Sequence, residues 1–205
     1  MKNSSKIKSI LVYSLFISGI FLLVSSCADS NAVDSKEIAK QENINKMEGD
    51  DQTVVVVEND NDAKFLMNAA EMQLQQIALG KSSQKRGNAA HVIELGKLLD
   101  EEYTRSFAEL KNLADKKSIS IPATITQDSK EENTKLEEKN GGDYGKIFSK
   151  IIVEEHENAI KMYEKASTDS KDPEVGAWAT KKLPVLRTLL MKAEACKIQC
   201  DKVKS

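Results

Sequence analysis

The sequence predicts an all-α domain, folded as an antiparallel four-helix bundle with a kinked last helix. Three observations lead to this prediction. The 205-residue chain has only 3 prolines and 9 glycines, and aromatic residues make up 5% of it, so few positions oppose helix formation. Apolar side chains recur every three or four residues along four long stretches, the spacing of one helix face. The connections between these stretches are mostly short, which favours antiparallel neighbours.

The predicted helices are separated by segments that interrupt the helical pattern. The first begins near residues 60–62 and ends in "SSQKRGN", where a glycine interrupts the pattern. The second covers about residues 89–117, and "SISIPATIT" breaks the pattern after it. A short polar helix is predicted at 130–139, and the third long helix begins near Tyr144.

The last helix has a strong start and an internal weakness. Asp172 can cap the helix, Pro173 suits its first position, and Glu174 places a negative charge in its first turn. Pro184 lies inside the same helix. Because proline removes one hydrogen bond and clashes with the preceding turn, we expect a kink or a break near Leu183.

The N-terminus predicts export and lipid attachment. Three lysines in the first eight residues precede an uncharged apolar run at 10–24, which is shorter than the roughly 20 residues that a membrane span needs. The sequence "VSSC" that ends at Cys27 resembles the lipobox of bacterial lipoproteins. We therefore expect residues 1–26 to be a lipoprotein signal peptide and Cys27 to carry the lipid anchor. The alternative is an ordinary signal peptide with a chance cysteine.

The remaining chain divides into a tether and one domain. Residues 27–59 are mostly polar and are predicted to be a lipid-attached flexible tether. Within it, Val54–Val57 could form a short strand or a segment packed on the domain. Residues 60–200 are predicted to form the helical bundle. Without the first 26 residues the chain has 27 basic and 32 acidic residues, so no excess of positive charge points to nucleic acid.

Four stretches resemble a bacterial family known as domain of unknown function 4142, whose members are regarded as ferritin-like envelope proteins. The stretches are "FLMNAAEMQLQQIALGKSS", "ELKNLADKKSISIPATI", "LEEKNGGDYGKIFSKIIVEEH" and "LPVLRTLLMKAEA". The resemblance implies an acidic–histidine pair on the second helix, another on the third, and a histidine on the last. By spacing, these positions hold Glu102-Tyr103, Glu155-His156 and Leu189. This chain thus keeps one histidine of three.

His156 is the main candidate for a functional residue, and three roles are open to it. It could belong to a reduced or vestigial metal site with Glu71, Glu102, Tyr103 and Glu155. It could act in acid–base catalysis, although the sequence shows no accompanying nucleophile set or phosphate loop. It could instead form an interhelical polar network, with Glu102 and Tyr103 as its expected partners, and we favour this role because its neighbours along the helix are apolar.

Cys196 and Cys200 are the second chemical feature. They lie four residues apart near the end of the last helix, so they share a face at about 6 Å. A possible disulfide, free thiols and a contribution to a metal site all stay open, and a disulfide would require a frayed last turn. His91 and Glu94, near the start of the second helix, are expected to be solvated.

The sequence favours a non-enzymatic protein with no cofactor and no resident metal. We expect it in the cell envelope, membrane-anchored through lipidated Cys27, in the outer membrane and facing the periplasm or the cell surface. Its expected role is an interaction or stress-related module that contacts another, unidentified envelope protein. The alternative is a ferritin-like metal-binding or oxidative-stress protein with a reduced ligand set.

Overall fold

The computed structural model describes residues 34–47 and 61–202, which form six α-helices and, within these ranges, no strand. The helices are α1 (Ser35–Met47), α2 (Asn61–Arg86), α3 (Ala90–Lys116), α4 (Gln127–Glu137), α5 (Gly141–Asp169) and α6 (Pro173–Lys202). The all-α prediction is confirmed. The predicted signal peptide (1–26), Cys27 and Val54–Val57 lie outside the described residues. Of the helices described, none is both long enough and apolar enough to cross a membrane.

Helices α2 and α3 form a hairpin whose two backbones approach closely. Residues 87–89 connect them. A Cβ atom on Gly80 would lie 2.7 Å from the carbonyl oxygen of Gly96, and one on Gly96 would lie 1.6 Å from the Oγ of Ser83. No larger side chain fits between the helices at this crossing, so the two glycines set their separation.

Helices α5 and α6 form the second hairpin, joined by residues 170–172. The predicted cap at the start of α6 is confirmed, because Asp172 Oδ1 accepts hydrogen bonds from the backbone N–H groups of Glu174 (2.8 Å) and Val175 (3.3 Å). These bonds satisfy donors that the first helical turn would otherwise leave unpaired.

Helix α6 continues through Pro184 without a break. The break expected near Leu183 is therefore absent. Leu183 and Leu186 are both buried in the core on either side of the proline, and burying two leucines contributes about 1.5–3 kcal/mol each. That gain is large enough to offset the roughly 3 kcal/mol that a proline costs inside a helix.

The two hairpins pack so that α2 lies along α5 and α3 lies along α6. In both pairings the beginning of one helix contacts the end of the other, as antiparallel helices do. Between α2 and α5 these contacts are Phe65 with Tyr163 and Ser82 with Tyr144. Between α3 and α6 they are Lys116 with Glu174 and Glu109 with Lys182. The four long helices thus enclose one core. Its fully buried apolar side chains include Leu66, Leu79, Leu99, Leu110, Phe148 and Ile152.

An aromatic cluster fills one end of this core. The rings of Phe65 and Tyr163 meet edge to face at 5.0 Å between centroids, and those of Tyr163 and Trp178 lie 5.5 Å apart. Phe65 also contacts Trp178 at 6.0 Å. Three helices contribute one ring each, so this cluster joins the two hairpins through apolar burial.

Helix α1 corrects part of the tether prediction. Residues 35–47 lie within the predicted flexible stretch, yet they form a helix on the bundle surface. Asn43 binds the backbone of Ser120 twice, donating to its oxygen at 2.8 Å and accepting from its nitrogen at 2.6 Å. Ala39 is buried beneath the helix. The attachment is mostly polar, and for that reason the sequence shows little apolar periodicity here.

Candidate functional site

A tyrosine–histidine pair occupies the centre of the bundle. Tyr103 comes from α3 and His156 from α5, both are buried, and 2.8 Å separates the tyrosine hydroxyl from the histidine Nε2. The other ring nitrogen, Nδ1, lies 2.7 Å from the carbonyl oxygen of Ile152, one turn earlier in α5. Two facing helices, one from each hairpin, are thus joined by a direct side-chain hydrogen bond.

The surroundings of His156 determine its tautomer. A carbonyl oxygen only accepts hydrogen bonds, so Nδ1 must carry the proton that it donates to Ile152. Nε2 then holds the lone pair and accepts the hydroxyl proton of Tyr103. Burial lowers the pKa of His156 to about 4, although the bond to Ile152 opposes this change. The histidine is therefore neutral at pH 7, with both ring nitrogens occupied.

A second polar layer lies beside the first. Gln73 of α2 donates from Nε2 to the hydroxyl of Tyr163 at 3.0 Å. Gln76, one turn further along α2, donates to the carboxylate of Glu155. Both glutamines are fully buried. These bonds connect α2 with α5, whereas the bond between Tyr103 and His156 connects α3 with α5.

Glu155 has an unusual proton affinity. Burial raises its pKa to about 7, and the nearby carboxylate of Glu132 adds to the rise. The hydrogen bond from Gln76 acts in the opposite direction, and Glu71 contributes a smaller repulsion. A partly buried carboxyl with this pKa holds its proton across mildly acidic conditions.

The other two predicted partners lie outside the central network. Glu102 is adjacent to Tyr103 in sequence, but its carboxylate pairs with Arg105 of the same helix at 2.5 Å. Glu71 pairs with Lys36 of α1 at 2.5 Å. The structure therefore brings together Tyr103 and His156, and separates from them the two acidic residues.

A small cavity adjoins Tyr103 between α3 and α6. Its volume is about 230 Å³, and Tyr103, Tyr163 and Leu189 contribute to its lining. Leu189 is the residue at which the family resemblance implies a third histidine. It is buried and supplies no donor atom.

The two cysteines near the end of α6 are buried free thiols. Helix α6 is intact up to Lys202, so the frayed turn that a disulfide would require is not formed. Cys200 Sγ lies 3.2 Å from Nε2 of His91, which belongs to the first turn of α3. The thiol of Cys196 donates to the backbone oxygen of His91 at 3.6 Å. Burial raises the pKa of Cys196 to about 12, and the neighbouring Cys200 adds to this rise.

His91 is the site residue that sequence reasoning assigned wrongly. Its place near a helix start suggested a solvated side chain, yet it is partly buried against the cysteines. The signal that could have revealed the contact is the antiparallel pairing of α3 with α6. That pairing places the first turn of one helix beside the last turns of the other.

One family model accounts for most of the chain. It is described as a domain of unknown function (DUF4142) and matches residues 35–196. The chain belongs to the DUF4142 family. The match begins at the first residue of α1, so the family's domain includes this helix. No curated protein matches the DUF4142 chain.

A solved structure shares the helical fold of this DUF4142 chain. It is the crystal structure of a DUF305 fragment from Deinococcus radiodurans, with a TM-score of 0.60 and 14% sequence identity. The similarity covers 68% of the DUF4142 chain and 96% of the fragment. At this level of identity, the comparison shows the fold alone.

The DUF4142 positions at which the resemblance implies metal ligands do not fit a metal in this chain. The lone pair of His156 Nε2 already accepts from Tyr103, and its other nitrogen carries a proton. The carboxylate of Glu102 pairs with Arg105, and Leu189 has no donor atom. A transition-metal site usually needs about four donors from facing elements. What the central cluster forms is a hydrogen-bond network between α3 and α5.

Proposed function

We propose that this DUF4142 protein is a lipid-anchored helical bundle of the cell envelope that binds another envelope component and performs no catalysis. The bundle is of the antiparallel, four-helix, ferritin-like type. In this proposal Cys27 carries the anchor, and the partner is an envelope protein recognised through the outer surfaces of the helices. Its polar core serves to hold the helices in place.

The observation that carries this proposal is the closed bonding of His156. Both of its nitrogens are used within the core, by Tyr103 and by the backbone of Ile152. A catalytic or ligating histidine needs a nitrogen that can reach substrate or metal. The "VSSC" sequence ending at Cys27 supports the membrane attachment. The four-helix arrangement is supported by the antiparallel contacts of α2 with α5 and of α3 with α6.

Membrane fractionation tests the anchor. The Cys27→Ser variant should move from the membrane fraction to the soluble fraction, because it lacks the thiol that receives the lipid. Cys196→Ser is the matched control, since it also removes one cysteine and should stay with the membrane. Cys27→Ser remaining in the membrane fraction to the same extent as the wild type would refute the anchor.

Elemental analysis tests the rival function, a ferritin-like metal-binding or oxidative-stress protein. Protein purified without chelators should contain no metal that depends on His156. Stoichiometric iron, manganese or zinc in the wild type that disappears in His156→Ala would overturn the structural role of the central network. Metal that persists in His156→Ala supports the structural role of this histidine.

A further inference from the structure

Three side chains with metal-binding chemistry meet at the end of the bundle away from the aromatic cluster. They are His91 from the first turn of α3 and Cys196 and Cys200 from successive turns of α6. A ring nitrogen of the histidine and the two Sγ atoms all lie within 4.8 Å of one another. No other such group of three occurs within the described residues 34–47 and 61–202.

We propose that His91, Cys196 and Cys200 bind a divalent thiophilic ion, namely Zn²⁺. This site differs from the positions at which the family resemblance implies ligands. Two thiolates and one imidazole would hold the ion, and a water molecule would occupy the fourth position. The ion would connect the beginning of α3 to the end of α6 and so join the two hairpins.

The spacing of the donor atoms suits zinc. With Zn–S bonds of about 2.3 Å and Zn–N bonds of about 2.0–2.1 Å, donors at tetrahedral angles lie roughly 3.5–3.8 Å apart. The His91 Nε2 to Cys200 Sγ distance is 3.2 Å, and no pair of these donors exceeds 4.8 Å. The distances between donor atoms would have to change by a few tenths of an ångström to about 1 Å to reach these values. Rotation of the side chains can provide such changes.

Charge balance favours a divalent ion over a monovalent one. Cys196 and Cys200 are buried, and a net charge in such a place is costly. On binding, each thiol loses one proton to solvent and its sulfur lone pair forms one Zn–S bond. Two thiolates neutralise Zn²⁺ and leave no net charge, whereas Cu⁺ would leave one negative charge. The step requires no oxidant or reductant.

An open cleft gives the ion access to these donors. It has a volume of about 220 Å³, and its lining includes His91, Cys196, Glu94 and Gln199. The cleft offers room for the water at the fourth position. Cys196 and His91 line the cleft and Cys200 lies one turn further along α6, so the ion would not have to pass through the core.

Zinc and cobalt titrations of the full chain test the site. The protein is purified in detergent, reduced, stripped with a chelator and freed of both reagents under nitrogen. Zn²⁺ competition against a chromophoric chelator should give one equivalent per chain. Co²⁺ should give the near-ultraviolet charge-transfer absorption of cobalt–thiolate bonds. Absence of this absorption in the reduced protein would overturn the proposal.

Variants assign the ligands. Cys196→Ser and Cys200→Ser should each lower the Zn²⁺ affinity by more than the roughly 10–100-fold that loss of an outer-shell partner costs. His91→Gln should have a similar effect and keeps both thiols, so it decides the question if a cysteine variant loses its helical circular dichroism. Unchanged affinity in His91→Gln would contradict the site.

Two control variants separate this site from others. His156→Leu removes the other histidine and should leave the zinc stoichiometry and the cobalt absorption unchanged. Cys27→Ser removes the remaining cysteine and should also bind one equivalent. Loss of binding in either control, with binding retained in Cys196→Ser, would place the metal elsewhere and refute the proposal.

Discussion

Replacing Glu155 by glutamine should change how the stability of the bundle depends on pH. Burial raises the pKa of Glu155 from its ordinary 4.5 to about 7. Between these values the folded protein keeps a proton that the unfolded chain has lost. Stability therefore decreases as the pH rises through this interval. At about 1.4 kcal/mol for each pKa unit, the full change is about 3 kcal/mol.

His156 produces the opposite dependence. Burial lowers its pKa from the ordinary 6.5 to about 4. Between these values the unfolded chain binds a proton that the folded protein excludes, so stability decreases as the pH falls. The size of the effect is again about 3 kcal/mol. In the wild type the two contributions largely cancel between pH 4.5 and 6.5, and the stability there should vary little.

Glu155→Gln removes one of the two contributions. The glutamine keeps an oxygen that can accept from Gln76 and has no proton to lose. The difference in unfolding free energy, variant minus wild type, should increase by up to about 3 kcal/mol between pH 4 and pH 8. The variant alone should then show the rise between pH 4 and 6.5 that His156 causes.

Urea denaturation followed by circular dichroism measures this difference. Unfolding free energies at pH 4, 5, 6, 7 and 8 are compared between the two proteins. Glu154→Gln is the matched control, because Glu154 is the preceding residue of α5 and is exposed. It makes the same chemical change on the exposed face of α5, so the increase of about 3 kcal/mol should occur only in Glu155→Gln. A pH-independent difference for Glu155→Gln, or one that falls with pH, would refute the assignment of a raised pKa.

Three further substitutions test the packing, each by urea denaturation. Tyr103→Phe leaves the lone pair of His156 without a donor and should cost about 1–3 kcal/mol; no change would mean that the pair does not stabilise the core. Gly96→Ala should cost about 1–3 kcal/mol or more by overpacking the α2–α3 crossing. Gly142→Ala is its control, because a Cβ atom added there would meet nothing within 4 Å, and it should change stability by less than about 1 kcal/mol. Asn43→Ala should increase amide hydrogen exchange throughout α1, since both bonds to the adjacent loop are lost, and protection equal to that of wild type would contradict this attachment.

Strong local patterns made the long helices predictable. The second long helix was predicted at about 89–117 and occurs at Ala90–Lys116, because apolar residues recur along its whole length. The cap at Asp172 was predictable because it depends only on residues that are close in sequence. Of the kink or break predicted at Pro184, the break does not occur, since the cost of the proline is local while the burial of its neighbours depends on the tertiary structure.

Contacts between distant segments were harder to predict. Tyr103 and His156 were paired through a family resemblance, and spacing alone would not have joined α3 to α5. The separation of Glu102 from His156 follows from helix geometry, because adjacent residues lie about 100° apart around a helix and so Glu102 and Tyr103 point in different directions. The contact of His91 with the cysteines spans more than 100 positions and needs the relative placement of α3 and α6.

The hydrogen bonds between the hairpins also restrict sliding. Apolar side chains can exchange one neighbour for another when helices shift lengthwise, because dispersion contacts have little direction. A shift of one turn, about 5.4 Å, would separate Tyr103 from His156 and Gln73 from Tyr163 at the same time. The buried donors and acceptors would find no replacement in an apolar layer. These few polar pairs therefore select one alignment of the hairpins among several that the leucines alone would tolerate.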